Sequence, residues 1–200
     1  MNHEWTESKQ RSVTLEEEEP EIFAIYVHWL YRGTLPERPD GMEREESDKE
    51  WCQLAEAYVL GDRLQDGDLA DTVIDAIIEK PKTPDSERRA SLPPKKVVQY
   101  IYENTTTSSK ARRMLVDIYA YNGPGKWFFL PAKEEELPSD FLYSLNATIL
   151  GLDGTEDRPK TTGNPTYKPS TCEYHQHGPD PKLCYKARLL KPVTKRMRQL

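Results

Sequence analysis

Four side chains that bind metals well fall within thirteen residues near the carboxyl end. They are Cys172, His175, His177 and Cys184, in "CEYHQHGPDPKLC", spaced C-x2-H-x-H-x6-C. Two thiolates and two imidazoles are a donor set that tetrahedral zinc prefers, and "GPDP" supplies a turn that would bring Cys184 back to the other three. The spacing is not that of a standard zinc motif, and few apolar residues surround it. Three states are therefore open: a structural zinc site, an unliganded surface segment, and a Cys172 to Cys184 disulfide. The third suits a reducing compartment least.

Other reactive side chains lack the company that catalysis needs. A nucleophile requires a base that a third group orients. Cys52 lies beside Trp51 in an apolar helical pattern and reads as a small core residue. His28 borders another apolar stripe and reads as a partly buried structural histidine. "EEEEP" and "KEEELP" are carboxylate runs suited to solvated faces or helix starts. "NGPG" is a turn and not a phosphate-binding loop. No catalytic residue, and no enzyme, is expected.

The chain has 200 residues, with 36% hydrophobic and 31% charged, which permits a core and leaves much polar chain outside it. The net charge of −6 conceals an asymmetry. Residues 1–50 hold 14 acidic and 6 basic groups, and residues 151–200 hold 5 and 10. The basic end "KARLLKPVTKRMRQL" could meet nucleic acid electrostatically, but it lacks the interleaved aromatics of a base-stacking platform. No stretch approaches the roughly 20 apolar residues of a membrane span, and "MNHEWTESKQ" lacks the apolar core of a secretory signal. With three cysteines in no disulfide-framework spacing, an intracellular protein of the cytoplasm or nucleus is expected.

The elements that would carry these residues are mostly helical. In "PEIFAIYVHWLYRG", Ile22, Ile25, Tyr26, Trp29 and Leu30 recur at helical spacing, with Pro20 at the start and Gly33 as the stop. Before it, "SVTL" is a short β-prone phrase. A second helix is expected from Ser47, in capping-box spacing with Glu50, through Trp51, Leu54, Ala55 and Tyr58. "LQDGD" interrupts, and "DLADTVIDAIIEK" restarts as the second arm of an αα-hairpin. Further helices are expected around Val97 to Tyr102, from Ser108 or Ser109 through Tyr119, and from a cap at Ser139 through Leu150. From Gly151 the sequence is dense in Pro, Gly and Thr and reads as a flexible linker.

Two of these phrases carry a family resemblance. "SVTLEEEEPEIFAIYVHWLYRGTL" followed by "LAEAYVLGDRLQDGDLADTVIDAI" resembles the second half of a BTB (POZ) domain, particularly of the BTB proteins of filamentous fungi. Phe23, Trp29, Leu30, Tyr31, Gly33 and Leu35 stand in the places of the family's F-x5-W-L-Y-x-G-x-L phrase. Tyr58, Val59, Leu60, Gly61, Asp62 and Leu64 match its Y-V-L-G-D-x-L phrase. "VVQYIYENTTTSSKARRMLVD" is similar to the helical extension that follows the domain in the fungal group.

The resemblance implies a mainly α chain: a truncated BTB/POZ-like helical cluster with a short β-strand remnant, a helical extension and a flexible C-terminal tail. Its parts would be a partial domain over 5–80, a linker over 81–94, the extension over 95–150, and a largely disordered tail with the Cys/His cluster over 151–200. The strands and helical hairpin that open a complete domain are not in this sequence, so the family's homodimer is not carried over. The implied function is protein–protein interaction, with substrate adaptor of a cullin-type ubiquitin ligase as its specific form. The alternative is a nucleic-acid or chromatin-associated factor that uses the basic, zinc-binding tail. Neither reading involves a membrane or a cofactor other than structural zinc.

Overall fold

The computed structural model describes residues 19–37, 41–82, 92–122, 137–151, 172–177 and 180–189. They are mainly helical, with no strand among them. The expected strand "SVTL" and residues 83–91 of the expected linker 81–94 lie outside the described residues.

Helix α1, Pro20–Arg32, begins on the proline whose missing N–H costs nothing in a first turn. It ends where Gly33 adopts φ 70°, a left-handed conformation that glycine takes without strain, and donates its N–H to the Trp29 carbonyl at 2.7 Å. Ile22 and Ile25 are its buried residues. Trp29 donates its indole N–H to Thr72 Oγ1 at 3.2 Å and so docks α1 on the third helix.

Helix α2, Arg44–Arg63, starts three residues before the expected cap. Ser47 is therefore inside the first turn and buried, with its N–H bonded to the Glu43 carbonyl at 2.9 Å. The capping-box reading fails here because Glu45 and Glu46 are themselves favoured at the positive end of the helix dipole and extend the helix backwards. Its inward face carries Trp51, Leu54, Ala55, Tyr58 and Leu60. Lys80 pairs with Glu50 and holds its ammonium 5.3 Å from the centre of the Trp51 ring.

The turn between α2 and α3, Gly67–Glu79, uses Gln65 at φ 56° and Asp66, whose carboxylate accepts the Leu69 N–H at 3.1 Å. Gly61 permits the close approach of the two helices. A Cβ there would lie 3.2 Å from the Ala70 nitrogen and 3.3 Å from Leu69 Cδ2. Backbone cannot give way as a flexible side chain can, so Gly61→Val is expected to destabilise the fold by about 1–3 kcal/mol, read from the urea midpoint.

Helix α3 is buried along most of its length through Leu69, Ala70, Val73, Ile74, Ile77 and Ile78. A short 3-10 turn, Lys80–Lys82, follows it. Helix α4, Lys95–Asn104, packs on α2 and on α5, Lys110–Asn122. Helix α6, Ser139–Leu150, closes the far side, with Phe141 set edge-on against Tyr102 and Tyr119 at ring distances of 5.7 and 5.2 Å. Ser139 is its first helical residue, and the N-cap position falls on Pro138.

Within the expected tail, residues 172–177 and 180–189 are described. Tyr174, His175 and Cys184 are buried, and a 3-10 turn, Pro181–Leu183, leads into α7, Tyr185–Leu189, which packs against α3. The composition of 151–171 suggested a solvated tail because few apolar residues occur there. What anchors the following segment is polar, as the site shows.

Candidate metal centre

The four residues singled out from the sequence converge. One donor atom from each of Cys172, His175, His177 and Cys184 can be chosen so that all lie within 4.8 Å of one another. Cys172 Sγ is 3.7 Å from Cys184 Sγ, and both cysteines are free. Cys184 Sγ is 3.6 Å from His175 Nδ1, which is 3.2 Å from His177 Nε2. His175 and Cys184 are buried, and Cys172 and His177 are half-buried.

Local backbone brings this about. Cys172 has φ 55° and opens a tight turn in which the His175 N–H donates to the Cys172 carbonyl at 3.2 Å. That turn puts residues 172, 175 and 177 on one side. The return of Cys184 follows the 3-10 turn, whose Leu183 N–H meets the Asp180 carbonyl at 3.0 Å.

Helix α3 then supplies a partner shell that the sequence reading passed over. Asp71 and Asp75, four residues apart, share the face that meets the Cys/His segment, and both are buried. Asp75 Oδ1 stands 3.2 Å from His175 Nε2, and neither atom has a hydrogen-bond partner elsewhere. The other Asp75 oxygen accepts the Tyr185 hydroxyl and lies 2.7 Å from Lys186 Nζ. Asp71 Oδ1 accepts the Gln176 N–H at 2.6 Å, and Asp71 Oδ2 lies 3.7 Å from His175 Nδ1. Gln176 also donates to Asp62 Oδ1 at 3.2 Å and to the Tyr58 hydroxyl at 3.4 Å.

The charges follow from these contacts. Burial pushes the Asp71 carboxyl above the usual carboxylate range, against the Gln176 N–H that lowers it. Burial acts the same way on Asp75, but bonds from His175, Lys186 and Tyr185 outweigh it and hold that carboxyl below the range. Burial and the neighbouring Cys184 push the Cys172 thiol up to about 11.

A second anchor lies beside the cluster. The Tyr174 hydroxyl donates to Asp117 Oδ2 on α5 at 2.5 Å, in a buried position that Arg113 approaches at 3.7 Å. Burial raises the Asp117 carboxyl, and the Tyr174 bond opposes that rise. Tyr174→Phe is expected to cost about 1–3 kcal/mol, because the carboxylate would keep its burial and lose its buried donor. Urea unfolding of the two proteins side by side gives this difference.

The other candidate residues do not join the centre. Cys52 is half-buried on α2, where desolvation raises its thiol. His28 is half-buried on α1. "KEEELP" is outside the described residues except for Leu137 and Pro138, as is the basic end beyond residue 189. Among the described residues no helix is long and apolar enough to cross a membrane.

Asp71 and Asp75 had a signal in the sequence: two carboxylates at i and i+4 inside the apolar run "DLADTVIDAIIEK", on a helix with little face left for solvent. No protein-family model, curated protein or solved structure matches this chain.

Proposed function

We propose that this chain is a protein-interaction module of BTB type, without a reaction of its own, and that its specific role is to present a substrate to a cullin-type ubiquitin ligase. The resemblance of the two long phrases supports the reading at family level. The observation that carries it further is the outer face of α1. Phe23, Val27, Leu30 and Tyr31 stand at i, i+4, i+7 and i+8, on one face of the helix. Leu30 is 54% exposed and Tyr31 is 86% exposed, while Phe23 is 39% exposed. Exposed tyrosines such as Tyr31 are enriched at interaction hot spots, and a contiguous exposed apolar patch around one marks an interaction surface.

Two experiments test the two levels. A photoreactive amino acid placed at Tyr31 in the full chain is expected to give discrete heteromeric adducts in cells that Leu30→Ser abolishes. The same amino acid at exposed Glu103 is the control. Adducts equal at both positions would remove the interaction face from the account. Titration calorimetry of the full chain with a purified cullin amino-terminal domain tests the adaptor role, which predicts a saturable heat; none at micromolar concentration would end that role and leave the wider one standing.

A further inference from the structure

We propose that Cys172, His175, His177 and Cys184 bind one zinc ion in a closed tetrahedral site, with His175 ligating through Nδ1 and held by Asp75 at Nε2. The site goes beyond the interaction reading and does not depend on it.

The distances carry the assignment. With Zn–S about 2.3 Å and Zn–N about 2.0–2.1 Å, an ideal tetrahedron has S···S, S···N and N···N edges of about 3.8, 3.5 and 3.3 Å. The corresponding edges here are 3.7 Å between Cys172 and Cys184, 3.6 Å between Cys184 and His175, and 3.2 Å between His175 and His177. All remaining donor pairs fall within 4.8 Å. Three of the six edges, one of each type, agree with one radius set.

The atoms beyond the donors point the same way. A zinc-bound imidazole ordinarily gives its second ring N–H to a carboxylate, which fixes the tautomer and raises the basicity of the ligand. His175 Nε2 faces Asp75 Oδ1 at 3.2 Å while Nδ1 faces the cluster. Asp75 is itself fixed by Tyr185 and Lys186, both just past the ligand Cys184. The carboxylate on α3 thus holds the first imidazole and the chain that follows the last thiolate. Without an ion, the buried pair at His175 Nε2 and Asp75 Oδ1 lacks any other hydrogen-bond partner; with one, the imidazole is committed to donate there.

Metal choice follows from the donors. Two thiolates with two imidazoles in a tetrahedron select zinc over calcium and magnesium, which take oxygen donors. Four protein ligands leave no coordination position for water or substrate, so the ion is structural. Its work is to fasten residues 172–177 and 180–189 to α3 and α5. A short segment with few apolar side chains can be ordered in this way, since binding free energy becomes folding free energy.

The test uses the full chain, stripped with a chelator under reducing conditions and titrated with cobalt(II), then zinc(II). One cobalt per chain is expected, with sulfur-to-cobalt charge-transfer absorption, tetrahedral d–d bands, and displacement by one zinc. Asp75→Asn keeps all four ligands and is expected to weaken zinc binding about 10- to 100-fold in competition with a chromophoric chelator. Absence of the charge-transfer bands from the wild-type chain would overturn the proposal, whatever any variant does. So would octahedral cobalt spectra, or bands that persist undiminished when Cys172 and Cys184 are both serine.

Discussion

Cys184→Ser is expected to lower zinc affinity by roughly 100- to 1000-fold. Structural zinc in small domains binds with about 10–16 kcal/mol of apparent free energy, so one of four comparable ligands carries about 2.5–4 kcal/mol. Cys184 is the most consequential of the four because it is buried and stands at the end of the excursion from His177. Its loss opens the return of the chain as well as the coordination sphere. The Gln176 N–H, bonded to Asp71 at 2.6 Å, then loses the restraint that keeps it there. Its hydrogen exchange is expected to accelerate in Cys184→Ser and in wild-type protein treated with chelator, to similar extents. Amides of α2 around Trp51 and Leu54 should change far less, because those residues pack in the apolar core, whereas Gln176 meets α2 further along, at Tyr58 and Asp62. Equal protection of Gln176 with and without metal would contradict the fastening role.

Trp51→Ala carries the largest expected effect on global stability. The indole is fully buried on α2, in the core that also holds Val98 and Ile101 of α4, with Lys80 over its ring. Truncation of a buried Trp costs about 3–5 kcal/mol through lost transfer energy and the cavity left behind. Against a total stability of about 5–15 kcal/mol, that is a third or more of the margin at the middle of the range. For a chain of this size the melting temperature should fall by about 6–20 °C. The same substitution strips Lys80 of its ring contact while leaving the Glu50 partner in place, so the 3-10 turn after α3 should loosen with the core. A fall below about 1 kcal/mol in urea unfolding would mean that Trp51 is not the keystone between α2 and its neighbours.

The helices were legible wherever one face repeated apolar residues and the ends were marked. Pro20 and Gly33 bounded α1 correctly because each acts through its own backbone constraint, independent of tertiary contacts. The start of α2 was harder. Ser47 and Glu50 had the right spacing for a cap, but the acidic residues before them could also begin a helix, and nothing local decides between the two. Residues 172–177 and 180–189 carry a different kind of signal. Apolar content measures only one of the forces that order a chain, and this segment is held by Tyr174 on Asp117, Gln176 on Asp71 and Asp62, and Tyr185 on Asp75.

The gathering of Cys172, His175, His177 and Cys184 is readable from residue types alone, since cysteine and histidine are scarce here and cluster once. Its partners were not, because Asp71 and Asp75 lie about one hundred residues away in the sequence and meet the cluster only through the packing of α3. The i, i+4 carboxylates on a helix buried along most of its length are the available sign. A helix buried on nearly every side must satisfy such groups with something polar brought from elsewhere.

X-ray absorption at the zinc edge of the full chain, loaded with one equivalent of zinc, tests the central claim most directly. The account predicts a four-coordinate shell of two sulfurs at about 2.3 Å and two imidazole nitrogens at about 2.0–2.1 Å. A shell of oxygen and nitrogen alone, or one with five or six light donors, would contradict it.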